Sequence, residues 1–418
     1  MAQSSRNGAP RAGAAVAEAE TTTARPQWRE LGVVAAGVSA LAVFASRAHG
    51  AQSLALLGIG LLLGGALFHA RFGFTGAWRQ LVAVGQTAGA RAHVVMLATA
   101  IVLFAPILDS GQGLFGTHPR GNVDPIGVGL VVGAVLFGLG MQLASACASG
   151  TLFVLGGGNT LMLVTLAFFV GGSVLGTATW GFWSSDVSSA GPVSLASSAG
   201  LGYGGALAVS LAALGVVALL LRRIGRGEAP PTGRPATARG FARVVRGSWP
   251  LMVAAVALAV LNAATLLVQG KPWGVSSGFA LWGGKALQGL GVNVGSWVYW
   301  QGPRGTTLHE PLLANSTTLL NLGLLAGAAA AAAASGSFVL TAKLPWRAVL
   351  AAAVGGLLMG YGARLAYGCN IGAHFSGIAS FSAHGWVWAC AALVGTWLGL
   401  RARGALGLAV PRRTDPVC

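Results

Sequence analysis

Apolar runs of about 20 residues, the length that crosses a bilayer as a helix, recur along the whole chain. They fall near 31–48, 53–70, 90–108, 126–146, 160–182, 203–223, 248–269, 313–334, 346–367 and 385–402. Polar and basic residues collect between the runs. The pattern predicts an all-α, polytopic membrane helical bundle. Several runs are short and rich in glycine, so some are expected to be broken or re-entrant. Small-xxx-small spacing at Gly60/Gly64, Gly172/Gly176, Gly323/Gly327 and Gly395/Gly399 suits close helix packing in lipid.

Composition removes the alternatives. Of 418 residues, 54% are hydrophobic and 8% charged, and the mean hydropathy is +0.71. A soluble domain carries about 25% charged residues, so a water-facing surface of ordinary extent cannot be covered here. The net charge of +17 lies between apolar runs and marks topology; nucleic acid is not an expected partner, and the lipid bilayer is. From Arg222 to Arg246 there are seven arginines, one acid (Glu228) and three prolines, the composition of a flexible linker. The expected division is a polar cytoplasmic tail (1–30), a first membrane repeat (31–224), a basic cytoplasmic linker (225–247), a second membrane repeat (248–405) and a cytoplasmic tail (406–418). The positive-inside rule puts tails and linker on one side. That gives an even number of crossings in each half, and parallel halves are the expectation.

Two segments match. Gly140-Met141-Gln142-Leu143-Ala144-Ser145-Ala146-Cys147-Ala148-Ser149-Gly150 and Gly362-Ala363-Arg364-Leu365-Ala366-Tyr367-Gly368-Cys369-Asn370-Ile371-Gly372 share five of eleven positions. A fainter pair precedes them, Phe72-Gly73-Phe74-Thr75 and Trp273-Gly274-Val275-Ser276. Two pseudo-repeats with re-entrant helix–loop–helix segments are the architecture of a transporter, with its site between the repeats. Each cysteine ends an apolar run and is followed three residues on by glycine, Gly150 or Gly372, which permits a turn. A helix starting there points free N–H groups at an anion. A neutral thiol donates a weak hydrogen bond, and its soft sulfur suits a sulfur-bearing ligand.

At these residues the chain resembles the YeeE/YedE sulfur-transport membrane proteins. The resemblance spans about 55–400 and is carried by Gly368-Cys369-Asn370-Ile371-Gly372, Ser376-Gly377-Ile378-Ala379-Ser380, His384-Gly385-Trp386-Val387-Trp388, Arg71 through Arg79, and Pro272-Trp273-Gly274 with Ala280-Leu281-Trp282-Gly283. It implies an inner-membrane importer of thiosulfate or a related inorganic sulfur anion, without a cofactor. It also implies rhodanese-like or TusA-like sulfur carriers as cytoplasmic partners. The family's mechanism passes thiosulfate between three cysteines. Cys147 and Cys369 match two of them, and the third position falls on Gly73. Either two thiols suffice, or the substrate is sulfite, sulfide or a selenium compound. A membrane sulfurtransferase acting covalently through the same cysteines is the rival reading, and a passive scaffold for a carrier is a third.

The remaining polar residues divide between function and structure. Arg364, within an apolar run, costs roughly 2.5–3.5 kcal/mol at mid-membrane; it is an anion attractor or a snorkelling side chain. Asn370, Ser376, Ser149 and Asn159 are hydrogen-bond donors near the loops or local caps. His374 and His384 are expected to be structural. Asp109, Asp124, Asp186 and Glu310 all fall at segment ends or in loops, which argues against a carboxylate relay within the runs. Cys390 is expected to pack inside the bundle, and Cys418 to be an incidental thiol in the tail.

Overall fold

A computed structural model describes residues 25–187, 189–225, 240–342 and 344–411. Most of both tails, most of the arginine-rich linker and Cys418 lie outside the described residues. Among those described, ten helices are long and apolar enough to cross a membrane, one for each apolar run of the sequence. The bundle is almost wholly helical; a two-stranded antiparallel ribbon pairs Pro125–Gly127 with Ser189–Pro192.

The first helical stretch, α1 (Trp28–Ala70), is broken at Gly50, where φ is +57°. Six elements then run from residue 50 in the order long, short, long, long, short, long: the second arm of α1, α2 (Phe74–Val84), α3 (Ala88–Ser110), α4 (Val128–Ala144), α5 (Ala148–Gly156) and α6 (Leu161–Ala178). Helix α7 (Gly202–Ile224) leads to the linker. The same order follows in α8 (Leu251–Gln269), α9 (Ser276–Gly289), α10 (Ser316–Ala334), α11 (Trp346–Leu365), a wide turn at Asn370–Phe375 continuing into α12 (Ser376–Ala379), and α13 (Ala383–Ala405).

Packing between the two series is reciprocal. Helix α10 lies on α1 while α8 lies on α3, and α13 lies on α4 while α11 lies on α6. Glycine makes these approaches possible, because in lipid close van der Waals contact replaces the hydrophobic drive between helices. A Cβ at Gly64 would collide with the Leu324 carbonyl, one at Gly327 with that of Leu61, and one at Gly395 with that of Val135. Every small-xxx-small pair singled out in the sequence lies at such a contact.

The directions of the helices correct one expectation. Gly133 faces Gly362 and Gly140 faces Gly355, so α4 and α11, which carry the matched motifs, run antiparallel. The second arm of α1 and α8 do the same: Gln52 donates to the Val268 carbonyl at 2.7 Å, and the Trp249 N–H to that of His69 at 3.2 Å. The halves are inverted, not parallel. The even count of long segments either side of the linker holds, with six before it and four after. The difference lies in where the two matching series begin. The arm 28–47 precedes the first and α7 joins the two units, so five long segments separate the equivalent starts at residues 50 and 251.

The bundle therefore has two distinguishable ends. One gathers Gln27 with Ala333, His69 with Trp249, and Gly85 with Ile224, the residue leading to the linker. The opposite end gathers Thr117 with Leu267 and Arg120 with Gly270. Cys390 is exposed on the outer surface of α13, not packed inside. Its neighbours Ala391 and Ala392 take the inward positions.

Candidate functional site

The two matched segments fold alike. Helix α4 is followed directly by Ser145 in the left-handed region (φ 62°), and α11, two residues past its end, by Tyr367 (φ 57°). Each reversal presents a cysteine in extended conformation as the N-cap of the next element: Cys147 before α5 and Cys369 before the Asn370–Phe375 turn. Both thiols are free and buried. The Cys147 Sγ lies 3.6 Å from the Ser149 Oγ, and the Thr75 hydroxyl faces the same sulfur. A Cβ at Gly150 would sit 3.4 Å from that Sγ, so glycine keeps the space beside the thiol clear.

The positions matched in sequence differ in what they do. Arg364 is 6% exposed and does not snorkel. Its guanidinium donates to the Tyr299 Oη at 2.7 Å and the Ser276 Oγ at 2.8 Å, while its Nε has no hydrogen-bond partner. Its counterpart Gln142 accepts from the Arg79 Nε at 2.9 Å and donates to the Thr75 carbonyl. Thr75 and Ser276 are themselves the matched positions of the fainter motif. Near Cys147, Arg403 donates to the Gln142 carbonyl at 2.6 Å and the Ser145 Oγ at 2.7 Å. That cation closes off helix ends rather than facing open space.

Beside Cys369, Asn370 is fully buried, and both its amide nitrogen and its amide oxygen lack hydrogen-bond partners. An unmade pair of this kind costs about 1–3 kcal/mol per group, so it calls for an explanation by function. Ser376 is differently placed. Its hydroxyl donates to the Trp273 carbonyl at 2.8 Å and accepts from the Asn262 Nδ2, and the Asn262 Oδ1 accepts from the Trp273 N–H at 2.8 Å. Asn262 thus fastens the Trp273–Ser276 loop to the turn after Cys369. Gly372 contributes its carbonyl, which accepts from the Asn122 Nδ2 at 2.9 Å.

A cavity of about 220 Å³ opens over this second site, at the end of the bundle away from the linker. Lys271, Arg304, Arg364 and Asp124 supply its charge; Gly368, Gly372 and Ser376, which flank Cys369 and Asn370 in the chain, form part of its wall. Burial pushes the Asp124 carboxyl up to about 6, opposed by Arg304. Gly73 has extended backbone (φ −127°), and a Cβ there would meet nothing within 4 Å. Among the described residues no group of three or more His, Cys, Asp or Glu is placed to hold a metal ion.

The sulphur transport family model matches residues 69–398. The chain belongs to this family. Among relatives, a protein named thiosulfate transporter TsuA, from Spirochaeta thermophila, is 28% identical over 354 residues, covering 81% of this chain and 95% of its own. Proteins named probable transporter YedE, from Escherichia coli and Salmonella typhimurium, are each 34% identical over 153 residues. That alignment spans 37% of this chain and 37% of theirs.

Of the residues about the two thiols and the cavity, the sequence singles out Cys147, Cys369, Arg364 and Asn370 and gives no weight to Lys271, Tyr299, Arg304 and Asn262. Asn262 carried a signal, as a polar residue deep in an apolar run. The other three sit in connections whose course only the fold reveals.

Proposed function

We propose that the protein imports thiosulfate, or a closely related inorganic sulfur anion, across the bacterial inner membrane along a path lined by Cys369 and Cys147. The carrying observation is the cavity lined by Lys271, Arg304 and Arg364, whose wall includes Gly368 and Gly372, the residues flanking Cys369 and the buried, unpartnered amide of Asn370 in the chain. Three cations focus an anion into a low-dielectric cleft. The orphan amide and the Cys369 S–H then replace water as donors, and Cys147 and Ser149 take over deeper in the bundle. Gly150 and Gly372 keep the turns narrow, and Ser376 holds the second turn in place. In this reading the short elements α2, α5, α9 and the Asn370–Ala379 segment are re-entrant, dipping into the membrane from opposite ends in the two inverted halves. Such backbone is tolerated at depth where it is buried or lines a polar path.

By the positive-inside rule the linker end faces the cytoplasm, which turns the cationic cavity outward, as an importer requires. A rhodanese-like or TusA-like sulfur carrier would receive the anion at the linker end. The name of the Spirochaeta relative, matched along nearly its whole length, supports thiosulfate. Gly73, in place of the family's third thiol, supports a second reading in which the cargo is sulfite, sulfide or a selenium species.

Uptake of labelled thiosulfate into proteoliposomes tests this, with wild type beside Cys147→Ser and Cys369→Ser. Uptake by the wild type and its loss in both variants is the expected result. A folded wild type that takes up sulfite or selenite but no thiosulfate would replace the substrate. Uptake unchanged in both variants would remove the thiol path.

A further inference from the structure

A carboxylate inside a cavity built to attract an anion is an electrostatic contradiction, and Asp124 is that carboxylate. It lies on the connection from α3 to α4, within the wall formed also by Lys271, Arg304 and Arg364. We propose that Asp124 is a proton-binding site linked to the anion, so that the cavity takes up the sulfur anion together with a proton. The inference rests on the anion-transport reading above and adds its energy coupling.

The geometry around the carboxyl supports a group that works in its protonated form. The Asp124 Oδ2 has no hydrogen-bond partner, and neither does the His384 Nε2, which lies 3.6 Å from it. The other ring nitrogen, Nδ1, meets the Ser382 hydroxyl at 2.6 Å and the Asp124 N–H at 3.4 Å. A backbone N–H only donates, so Nδ1 is the acceptor and the neutral ring carries its hydrogen on Nε2, toward the carboxyl. His384 thus faces the carboxyl without neutralising it. The charged and titratable groups facing Asp124 are His384 from α13, Tyr367 from the turn after α11, Arg364 from α11, Lys271 from the α8–α9 connection, and Arg304 and Tyr299 from the α9–α10 connection.

Linkage follows. With Asp124 ionised, an arriving dianion meets a like charge in a confined, poorly screened space. With Asp124 protonated, the repulsion is gone and an O–H donor is added. The anion therefore raises the proton affinity of Asp124, and the proton raises the affinity for the anion by the same factor. The proton is taken from hydronium on the cavity side, leaving a water molecule, and is held on a carboxylate oxygen; no other bond changes. Its arrival is transmitted inward, because neighbouring Asn122 is tied to the turn after Cys369. The Asn122 N–H donates to the Ser380 Oγ at 2.9 Å and its amide donates to the Gly372 carbonyl. Since burial sets the Asp124 carboxyl at about 6, the site empties of protons, and anion binding weakens, as pH rises through that value. Thiosulfate itself stays a dianion throughout.

The test is calorimetric binding of thiosulfate to the purified full-length protein at about pH 5 and about pH 7.5, in buffers of different ionisation heat. The expected result is a Kd at least about tenfold weaker at the higher pH, with protons taken up on binding. Asp124→Asn should bind with no such pH dependence. A pH-independent Kd and no proton uptake in the wild type would overturn the inference while leaving the transport reading intact. So would an Asp124→Asn protein that keeps the wild-type profile. A wild type that binds no thiosulfate at either pH would instead overturn the transport reading itself, and the proton linkage with it. The buffer comparison needs only the wild type, so a variant that fails to fold does not blunt the test.

Discussion

The turn at Cys147 and the turn at Cys369 share a backbone and differ in chemistry. Each follows a residue in the left-handed region, each places its cysteine as an N-cap, and each is held by a hydroxyl residue from the matching short-helix loop. Around Cys147 the polar groups are turned on one another: Arg403 on Gln142 and Ser145, Arg79 on Gln142, and Thr151 on the Cys147 carbonyl. Around Cys369 they are left facing a cavity, with Arg364, Arg304 and Lys271 in the wall and Asn370 without a partner. The two turns are alike in backbone, and the difference at matched positions, Gln142 against Arg364 above all, leaves cations lining a cavity at one and polar groups bonded to one another at the other.

That contrast can be broken in graded steps. Replacing Cys369 with Ala should abolish thiosulfate uptake in proteoliposomes, the largest effect expected, whereas Cys390→Ala should leave uptake unchanged because its thiol is on the outer surface. Arg364→Gln installs at the second turn what the first already has. It should raise the Kd for thiosulfate by about tenfold or more, as expected for a charged hydrogen-bond donor worth about 1.5–3 kcal/mol. Arg403→Gln should act the other way round, lowering the unfolding temperature while changing Kd by less than about threefold. Gly140→Ala would set a Cβ 2.6 Å from the Gly355 carbonyl, at a cost of about 1–3 kcal/mol from overpacking. Gly65→Ala, with nothing within 4 Å, is its control. Smallest of all should be Gly73→Cys, which enters open space on extended backbone and should shift stability by less than about 0.5 kcal/mol. A gain in thiosulfate uptake by that variant would count for a three-thiol path, and unchanged uptake for two thiols being enough.

Much of the fold was legible before the structure. Ten apolar runs became ten long helices because lipid leaves a helix as the only local way to satisfy the backbone. The cysteine motifs were legible because the two segments share their turn residues. The inversion of the halves was not. It depends on which helix begins the repeat, and neither the arm 28–47 nor α7 differs in hydropathy from the helices inside it. The cavity was only half legible. Arg364 drew attention as a charge within an apolar run, but Tyr299 and Arg304 lie in a connection with no periodicity to read. Asp124 looked like an ordinary loop acid, because its meeting with His384 joins residues 260 apart in the chain.

Two halves turned over against each other, packed through Gly140 and Gly355, have a further consequence. A backbone that looks alike from either face of the membrane carries no arrow. Whatever distinguishes one face from the other must then be encoded in the few side chains that spoil the likeness. Asymmetry in such a molecule is a matter of point substitutions rather than of fold, and exchanging a handful of residues between the halves is how one would set out to move the cationic cavity to the opposite end.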